Sequence, residues 1–405
     1  AAVGKELSFD PNILDTYHYE GWAPVHHDLL LVCAAVEYAD RRRERRRTCW
    51  SRRFDVTVPV SQLRLWKDAK VQRTLREALR QLTGDDWHIT FVQGDGPKDT
   101  GRQGVLPFPK EEKRYTIAYS DGLDSRCVSG LYPDAEIVRV RVAGKKERVG
   151  KGERPFDLIP FKVKPSPSPE NSARSRGFKF AAITAIASRL AGVERIVVPE
   201  SGQGALGPVL LPLHGIYPDY RNHPAFFRKM EHFIEALLGQ RVSYEQPRLW
   251  FTKGQTIRAY LESENAKRDG LLHTRSCWQE RNNVRFAGKR WQCGLCAACL
   301  LRRMSMHAAG IDEPDTYAIE NLAAPNYEAA LPKHNSYQPT KTMIDYGSVG
   351  PRHLQHLADM AKLPDADLKV HAFDIARHTG ATEEETLGNL KQLTAQHAHE
   401  WESFI

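Results

Sequence analysis

The chain has 405 residues, 41% hydrophobic and 27% charged, with a formal net charge of +8. That length suits two or three domains with a sizeable core, and the composition is that of a soluble globular protein. No run approaches the roughly eighteen consecutive apolar residues of a membrane helix.

The first residues lack a basic stretch ahead of an apolar core, so no secretory signal and a cytoplasmic location are expected. The positive balance permits an anionic partner: a nucleotide, a nucleic acid or an acidic protein. Four of the seven cysteines lie between 277 and 299, whereas Cys33, Cys49 and Cys127 are scattered. An odd count with one tight cluster argues for a metal in a reducing compartment rather than a disulfide frame.

Residues 1–114 read as a small α+β unit. Leu29, Leu30, Val32, Cys33 and Val36 give residues 26–39 a helical look, and seven positions, Arg41 to Arg47, then carry six arginines, with Arg52 and Arg53 close behind. A solvated helix end is the favoured reading of this run. Nucleic acid and an acidic protein partner are the others, with only Trp50 and Phe54 near enough to stack. Phe54, Val56, Val58 and Val60 alternate with polar residues and Pro59, the period of a half-buried strand. Leu75, Ala78, Leu79 and Leu82 mark a helix ended by Gly84, and Trp87–Val92 a second strand. The Gly-, Pro- and Lys-rich stretch from Gly94 to Lys113 reads as a linker.

From residue 115 the pattern changes. Thr116–Tyr119 is β-prone and runs directly into Ser120-Asp121-Gly122-Leu123-Asp124-Ser125, followed by a short helix. A strand, a tight polar turn and a helix N-terminus form a ready anion site: amides converge, the hydroxyls of Ser120 and Ser125 add donors, and the dipole favours negative charge. A capped turn without ligand is the plainer reading. Glu136–Val142 reads as a strand, 144–170 as a long Lys-, Gly- and Pro-rich loop, Ser175–Ala191 as a helix and Arg195–Pro199 as a strand. The run Glu200–Gly207 is not a dinucleotide fingerprint, because no strong helix pattern follows it. It reads as a substrate-facing loop at a strand's C-terminal end, or as a glycine turn.

Tyr217-Pro218-Asp219 precedes a helix from His223 to Leu238, and a strand is expected near Arg248–Phe251. Thr252 is the expected N-cap of the next helix. Lys253 in that helix's first turn opposes the dipole, so it reads as a cation aimed at an anion, with a surface lysine as the alternative. The alternation of strand and helix predicts an α/β fold with a doubly wound parallel sheet.

Cys277, Cys293, Cys296 and Cys299 are separated by fifteen, two and two residues. The spacing fits tetrahedral four-thiolate zinc, and an iron–sulfur cluster is the alternative. Four protein thiolates leave no open position, which makes the site structural. His273 is read as a non-ligand. Beyond 312, Pro325–Pro351 reads as a loop, Leu354, Leu357, Ala358 and Ala361 suit a helix, and Thr382 with Glu385 forms a capping box. A small helical bundle is expected there, with its histidines at the surface.

The Ser120–Ser125 loop resembles the pyrophosphate loop of the N-type ATP pyrophosphatases, whose usual form is Ser-Gly-Gly-x-Asp-Ser. Asp121 stands where that form has its first Gly; it is read as a Mg²⁺ ligand or as the mark of a weakened site. The loop, the Arg174 segment, Tyr217-Pro218-Asp219, Thr252-Lys253 and Ser276-Cys277…Cys293-x-x-Cys296-x-x-Cys299-x-x-Arg302 occur in an order similar to the 7-cyano-7-deazaguanine synthase (QueC) family. The longer chain, with its Arg-rich extension, is similar to a QueC-like branch found in anti-phage defence operons such as the Qat system. The resemblance implies a core over 115–312 of the ATP pyrophosphatase (PP-loop, adenine nucleotide alpha hydrolase) type with a zinc knot, an N-terminal α+β extension over 1–114 and a helical extension over 313–405.

It also implies ATP with Mg²⁺ and structural Zn²⁺ as cofactors, and a C–N ligase acting through an acyl-adenylate. Ser120, Asp121, Gly122, Leu123, Asp124, Ser125 and Arg174 would bind nucleotide, with Ser120, Asp124, Ser125 and Lys253 catalytic. The substrate would be 7-carboxy-7-deazaguanine or a similar carboxylate. The acceptor would be ammonia, as in the synthase, or an amine of a protein partner from the same operon. A catalytically weakened nucleotide-binding scaffold is the reading outside catalysis, and nucleic acid is the less favoured partner.

Overall fold

The computed structural model describes residues 5–9, 22–46, 51–96, 113–120, 122–143, 157–170, 174–211, 218–279, 284–286, 288–331 and 341–405. Expectations placed on Arg47, Cys49, Trp50, Asp121, Tyr217, most of the 94–113 linker and the 144–156 part of the long loop lie outside the described residues.

In chain order the elements are β1 (Leu7–Phe9), α1 (Pro24–Arg42), β2 (Arg53–Val60), α2 (Leu63–Trp66), α3 (Ala69–Thr83), β3 (Asp86–Gln93), β4 (Tyr115–Ala118), α4 (Leu123–Gly130), β5 (Ile137–Ala143) and β6 (Asp157–Val163). Then come α5 (Arg176–Leu190), β7 (Arg195–Val197), α6 (Gly202–Ala205), α7 (Gly207–Leu210), α8 (Pro224–Leu238), β8 (Ser243–Glu245), α9 (Lys253–Leu261) and α10 (Arg268–Leu272). The rest is β9 (Arg285–Phe286), β10 (Lys289–Arg290), α11 (Ala297–Ala308), α12 (Tyr327–Ala330), α13 (Lys341–Asp359), α14 (Asp365–Thr379) and α15 (Glu383–Phe404). They form two compact units. One comprises Ala1–Ser120, Tyr132–Pro199 and His214–Pro247; the other comprises Asp121–Leu131, Glu200–Leu213 and Arg248–Ile405.

The first unit holds a six-stranded sheet in the order β1-β6-β5-β4-β7-β8. All neighbours are parallel except β1, which pairs antiparallel with β6 at one edge. The strand order reverses at β4, which pairs with β5 on one side and β7 on the other. Such a reversal is where open parallel sheets place ligands, beyond the carboxyl ends of the strands. Ser120, exposed, follows β4 at that end.

Strand residues Val140, Phe161, Val163, Ile196 and Tyr244 pack with Phe178, Ala182 and Ile186 of α5 and Phe226, Met230 and Phe233 of α8 in one core. The helix ends follow local rules. Asp68 accepts from the amides of Lys70 and Val71 to start α3, and Gly84 and Gly239 close α3 and α8 at φ 68°. The N-terminal β2–α3–β3 segment makes a separate parallel pair, joining the same core through Phe54, Leu75 and Trp87.

Three expectations require correction. Part of the 144–170 loop is a strand, β6, although Pro160 interrupts its pattern. A proline can sit in a strand where its missing amide donor is not needed. The strand placed near Arg248–Phe251 is instead β8 at Ser243–Glu245; residues 248–251 turn, with the Arg248 guanidinium 3.8 Å from the Phe251 ring centre. Finally, residues 341–351 belong to α13 rather than a loop, with Pro351 inside the helix. A Cβ at Gly350 would lie 2.9 Å from the Ala297 amide nitrogen, so close packing explains that glycine within the helix.

The arginine run is divided. Arg42 and Arg43 are exposed and donate to backbone carbonyls of Pro167 and Arg53. Arg45 turns inward to Asp85 at 2.6 Å. Arg52, 3% exposed at its side chain, bridges Asp40 and Asp85 and also donates to the Asp40 and Arg43 carbonyls. Burial pushes the Asp85 carboxyl up, but hydrogen bonds from Arg52 and Arg45 outweigh it and hold the group below its ordinary range. Its contribution is therefore present at neutral pH and lost as pH falls through the lowered folded value. Arg52→Met leaves two buried carboxylates short of a cation, and is expected to cost about 3–5 kcal/mol in urea unfolding at pH 7. A loss under about 1 kcal/mol would make this network no better than a surface pair.

Candidate functional site

The second unit brings two sequence-distant candidates together. Gly122 caps α4, and Ser125 Oγ donates to the Gly122 carbonyl at 3.2 Å. Leu123 and Cys127 face Ile257 and Tyr260 of α9 in a small core with Leu271, Met306 and Ile311. A Cβ at Gly130 would lie 2.3 Å from the Tyr260 ring, so a glycine is needed for this approach of α4 to α9. Cys127 is buried, and burial pushes its thiol up to about 12, so it packs as an apolar group.

That packing sets Lys253 Nζ 2.5 Å from Asp124 Oδ2, with Glu200 Oε1 at 3.9 Å. Lys253 is 7% exposed, so the surface-lysine alternative is excluded. Burial pulls its pKa down, but the charges of Asp124 and Glu200 outweigh that and raise it; the group is a cation at neutral pH. Asp124 Oδ1 and Ser201 Oγ are buried and have no hydrogen-bond partner among the described residues.

Thr252 caps α9 as expected: its hydroxyl accepts from the Gln255 amide at 3.1 Å, and Gln255 Oε1 accepts from the Thr252 amide at 2.9 Å. Of the other loop candidates, Ser120 and Arg174 belong to the first unit. Arg174 lies at 3.5 Å from the Thr83 carbonyl, its pKa lowered by burial and by Arg45.

Glu200 and Gln203 were missed as individual residues because their stretch read as a glycine loop. The available signal was position: Glu200 lies just past β7, where ligand-facing residues gather. His397 and Glu400 of α15 were missed as well. His397 is fully buried, correcting the surface expectation, and Glu400 is 2% exposed. Burial raises the Glu400 carboxyl above its ordinary value despite hydrogen bonds from Thr252 and Gln396. A raised folded pKa favours the protonated form, so stability is lost as pH rises through that value. Glu400→Gln is therefore expected to raise the melting temperature at pH 7, with the gain vanishing below the ordinary glutamate range. A gain independent of pH would remove ionisation as its cause.

The second feature is the four-cysteine cluster. The ligand atoms of Cys277, Cys293, Cys296 and Cys299 all lie within 4.8 Å of one another, and no other described residue joins them. Sulfurs held tetrahedrally about 2.3 Å from one ion are about 3.8 Å apart; Cys293 and Cys299 Sγ are separated by 3.8 Å. The spacing fits one zinc ion better than thiolates spread over the irons of a cluster. Amides of Gln279 and Cys293 point at Cys277 Sγ, and that of Cys296 at Cys293 Sγ, at 3.2–3.4 Å. Such donors suit thiolates and orient them.

Gly294 sits at φ 86°, where a Cβ would lie 2.3 Å from the Ile319 carbonyl oxygen, so this turn requires glycine. Behind the knot, fully buried Arg302 pairs with Glu313 at 2.7 Å and donates to the Thr274 and Leu271 carbonyls. It ties α11 to the segment leading into Cys277.

Residues 213–310 match the family model described as queuosine biosynthesis protein QueC. No curated protein and no solved structure matches the chain. No helix among the described residues is long and apolar enough to cross a membrane. The matched stretch contains Lys253 and all four cysteines, so the similarity to QueC covers the part of the chain that carries the buried cation and the thiol cluster.

Proposed function

We propose that the protein is an ATP-dependent C–N ligase that activates a 7-deazapurine carboxylate as its acyl-adenylate and couples it to an amine. The observation that carries this is the buried Lys253 cation, held by Asp124 from the loop-bearing helix, within a QueC-like stretch. On this reading the 115–312 core is of the doubly wound ATP pyrophosphatase type, flanked by the 1–114 and 313–405 extensions, and works in the cytoplasm.

A carboxylate does not react with amines, because its leaving group would be an oxide. In the proposed first step a carboxylate oxygen attacks the α-phosphorus of ATP. A P–O bond forms, the bridging P–O bond to the β-phosphate breaks, and pyrophosphate leaves. Lys253 and the backbone donors of Gly122 and Ser125 stabilise the charge on the leaving group. In the second step the amine nitrogen attacks the carbonyl, the C–O bond to AMP breaks, and the amine loses a proton. Asp124 Oδ1, a buried acceptor without a partner among the described residues, suits the Mg²⁺ that accompanies a triphosphate and supplies charge neutralisation. The four thiolates suit zinc in a structural role.

The extensions favour a setting beyond plain nitrile synthesis: anti-phage defence, with a protein amine from an operon partner as acceptor. Pyrophosphate exchange into ATP should require 7-carboxy-7-deazaguanine. Product mass then separates the readings. A nitrile with ammonia identifies a 7-cyano-7-deazaguanine synthase, and an ATP-dependent gain of one deazaguanine acyl group on a partner identifies the protein ligase. Absence of exchange under every condition would leave a nucleotide-binding scaffold and defeat the proposal.

A further inference from the structure

Helix α15 lies outside the matched stretch 213–310. Its buried face runs through Leu390, Leu393, Thr394, His397, Ala398, Glu400 and Trp401, a helical stripe. Two of these are titratable groups sunk in a core, which is costly unless their polar atoms are used. The contacts of both converge on Lys253.

His397 Nε2 lies 2.9 Å from the Leu354 carbonyl oxygen, which can only accept, so Nε2 carries the proton. Burial holds the His397 pKa at about 4, leaving the ring neutral and Nδ1 an acceptor. Nδ1 therefore receives Gln203 Nε2 at 2.8 Å, which turns Gln203 Oε1 to the Lys253 amide at 2.7 Å. Glu400 Oε1 accepts the Thr252 hydroxyl at 2.7 Å, directing that oxygen's lone pairs to the Gln255 amide. Both docking points are glycines. A Cβ at Gly202 would lie 2.6 Å from Leu393 Cδ2, and one at Gly254 2.8 Å from Glu400 Oε1.

We propose that His397 and Glu400 are positioning residues for Lys253, making the C-terminal helix a working part of the Lys253 site. Asp124 holds the ammonium end of this lysine, whereas α15 fixes its backbone amide through Gln203 and the residue before it through Thr252. The proposal deepens the ATP-dependent reading and rests on it only for the kinetic measurement below.

The test compares His397→Leu with His397→Asn, and Glu400→Leu with Glu400→Gln, in the full chain. Asn can still accept from Gln203, and Gln can still accept from Thr252; leucine can do neither. Brief acetylation with limiting acetic anhydride is read by peptide mass spectrometry, with the exposed Lys362 and Lys391 as internal references. Loss of one hydrogen bond should raise Lys253 labelling about fivefold in the leucine variants, with the Asn and Gln variants near the parent. Unchanged Lys253 labelling in the leucine variants, or equal increases in both members of each pair, would overturn the proposal.

If the leucine variants do not melt cooperatively, Gln203→Leu breaks the same relay with α15 intact. Lys253 labelling should again rise, and an unchanged value overturns the relay. Where the parent supports pyrophosphate exchange, the leucine variants should lose about tenfold in kcat with a smaller change in KM for ATP. A parent without exchange defeats the ATP reading while leaving the labelling result to decide the positioning role.

Discussion

Lys253→Met is expected to reduce carboxylate-dependent pyrophosphate exchange at least ~100-fold, the usual effect of removing one preorganised group from a developing charge. The same change should destabilise the chain. Asp124 and Glu200 would face a buried site without their cation, and breaking a buried pair from one side costs about 3–5 kcal/mol. The two effects separate in the double variant Asp124→Asn/Lys253→Met, which removes both charges. Stability should largely return while exchange stays lost. Retained exchange in Lys253→Met would remove this residue from the chemistry. Equal stability of single and double variants would show that the ion pair is not coupled.

The second large effect concerns the thiol cluster. The purified protein should contain one zinc per chain, without the visible absorption of an iron–sulfur cluster. Cys296→Ser, or prolonged treatment with a strong chelator, should remove it. Metal binding to structural four-ligand sites is coupled to folding and reaches about 10–16 kcal/mol in zinc-finger peptides. Losing even ~4 kcal/mol in a unit of this size lowers the melting temperature by about 10 °C. The core here depends on the sulfurs directly, since Cys293, Cys296 and Cys299 pack with Val284, Tyr317, Ile319 and Met343. A metal-free protein with unchanged melting would show that the cysteines are only packing residues.

Much of the local structure is legible in the sequence. The start of α9 at Thr252 and the cap of α15 at Thr382 follow from side chains within one helical turn of the amide they satisfy, and the end of α3 from the left-handed backbone that Gly84 adopts. Clustering of the four cysteines was legible too, because three ligands sit within seven residues and the spacing itself narrows the geometry. Strand β6 was not, since Pro160 and its neighbours lack a clean period and acquire strand geometry by pairing between β1 and β5. Nor was the fate of the arginines. Arg45 and Arg52 carry the same local signal as the exposed Arg42, and only Asp40 and Asp85 distinguish them.

The sequence by itself determined the clustered cysteines and the helix that begins beside Lys253, because each depends on residues close in the chain. Tertiary structure decided what Lys253 meets. Its partners are Asp124, 129 positions away, and Glu200, while Gln203 links its amide to His397. Nothing in a one-dimensional pattern brings these groups together. Their meeting depends on α4 lying against α9 at Gly130, and on α15 approaching through Gly202 and Gly254. Burial then does the rest: it raises the cost of every unpaired charge and so makes each of these contacts specific.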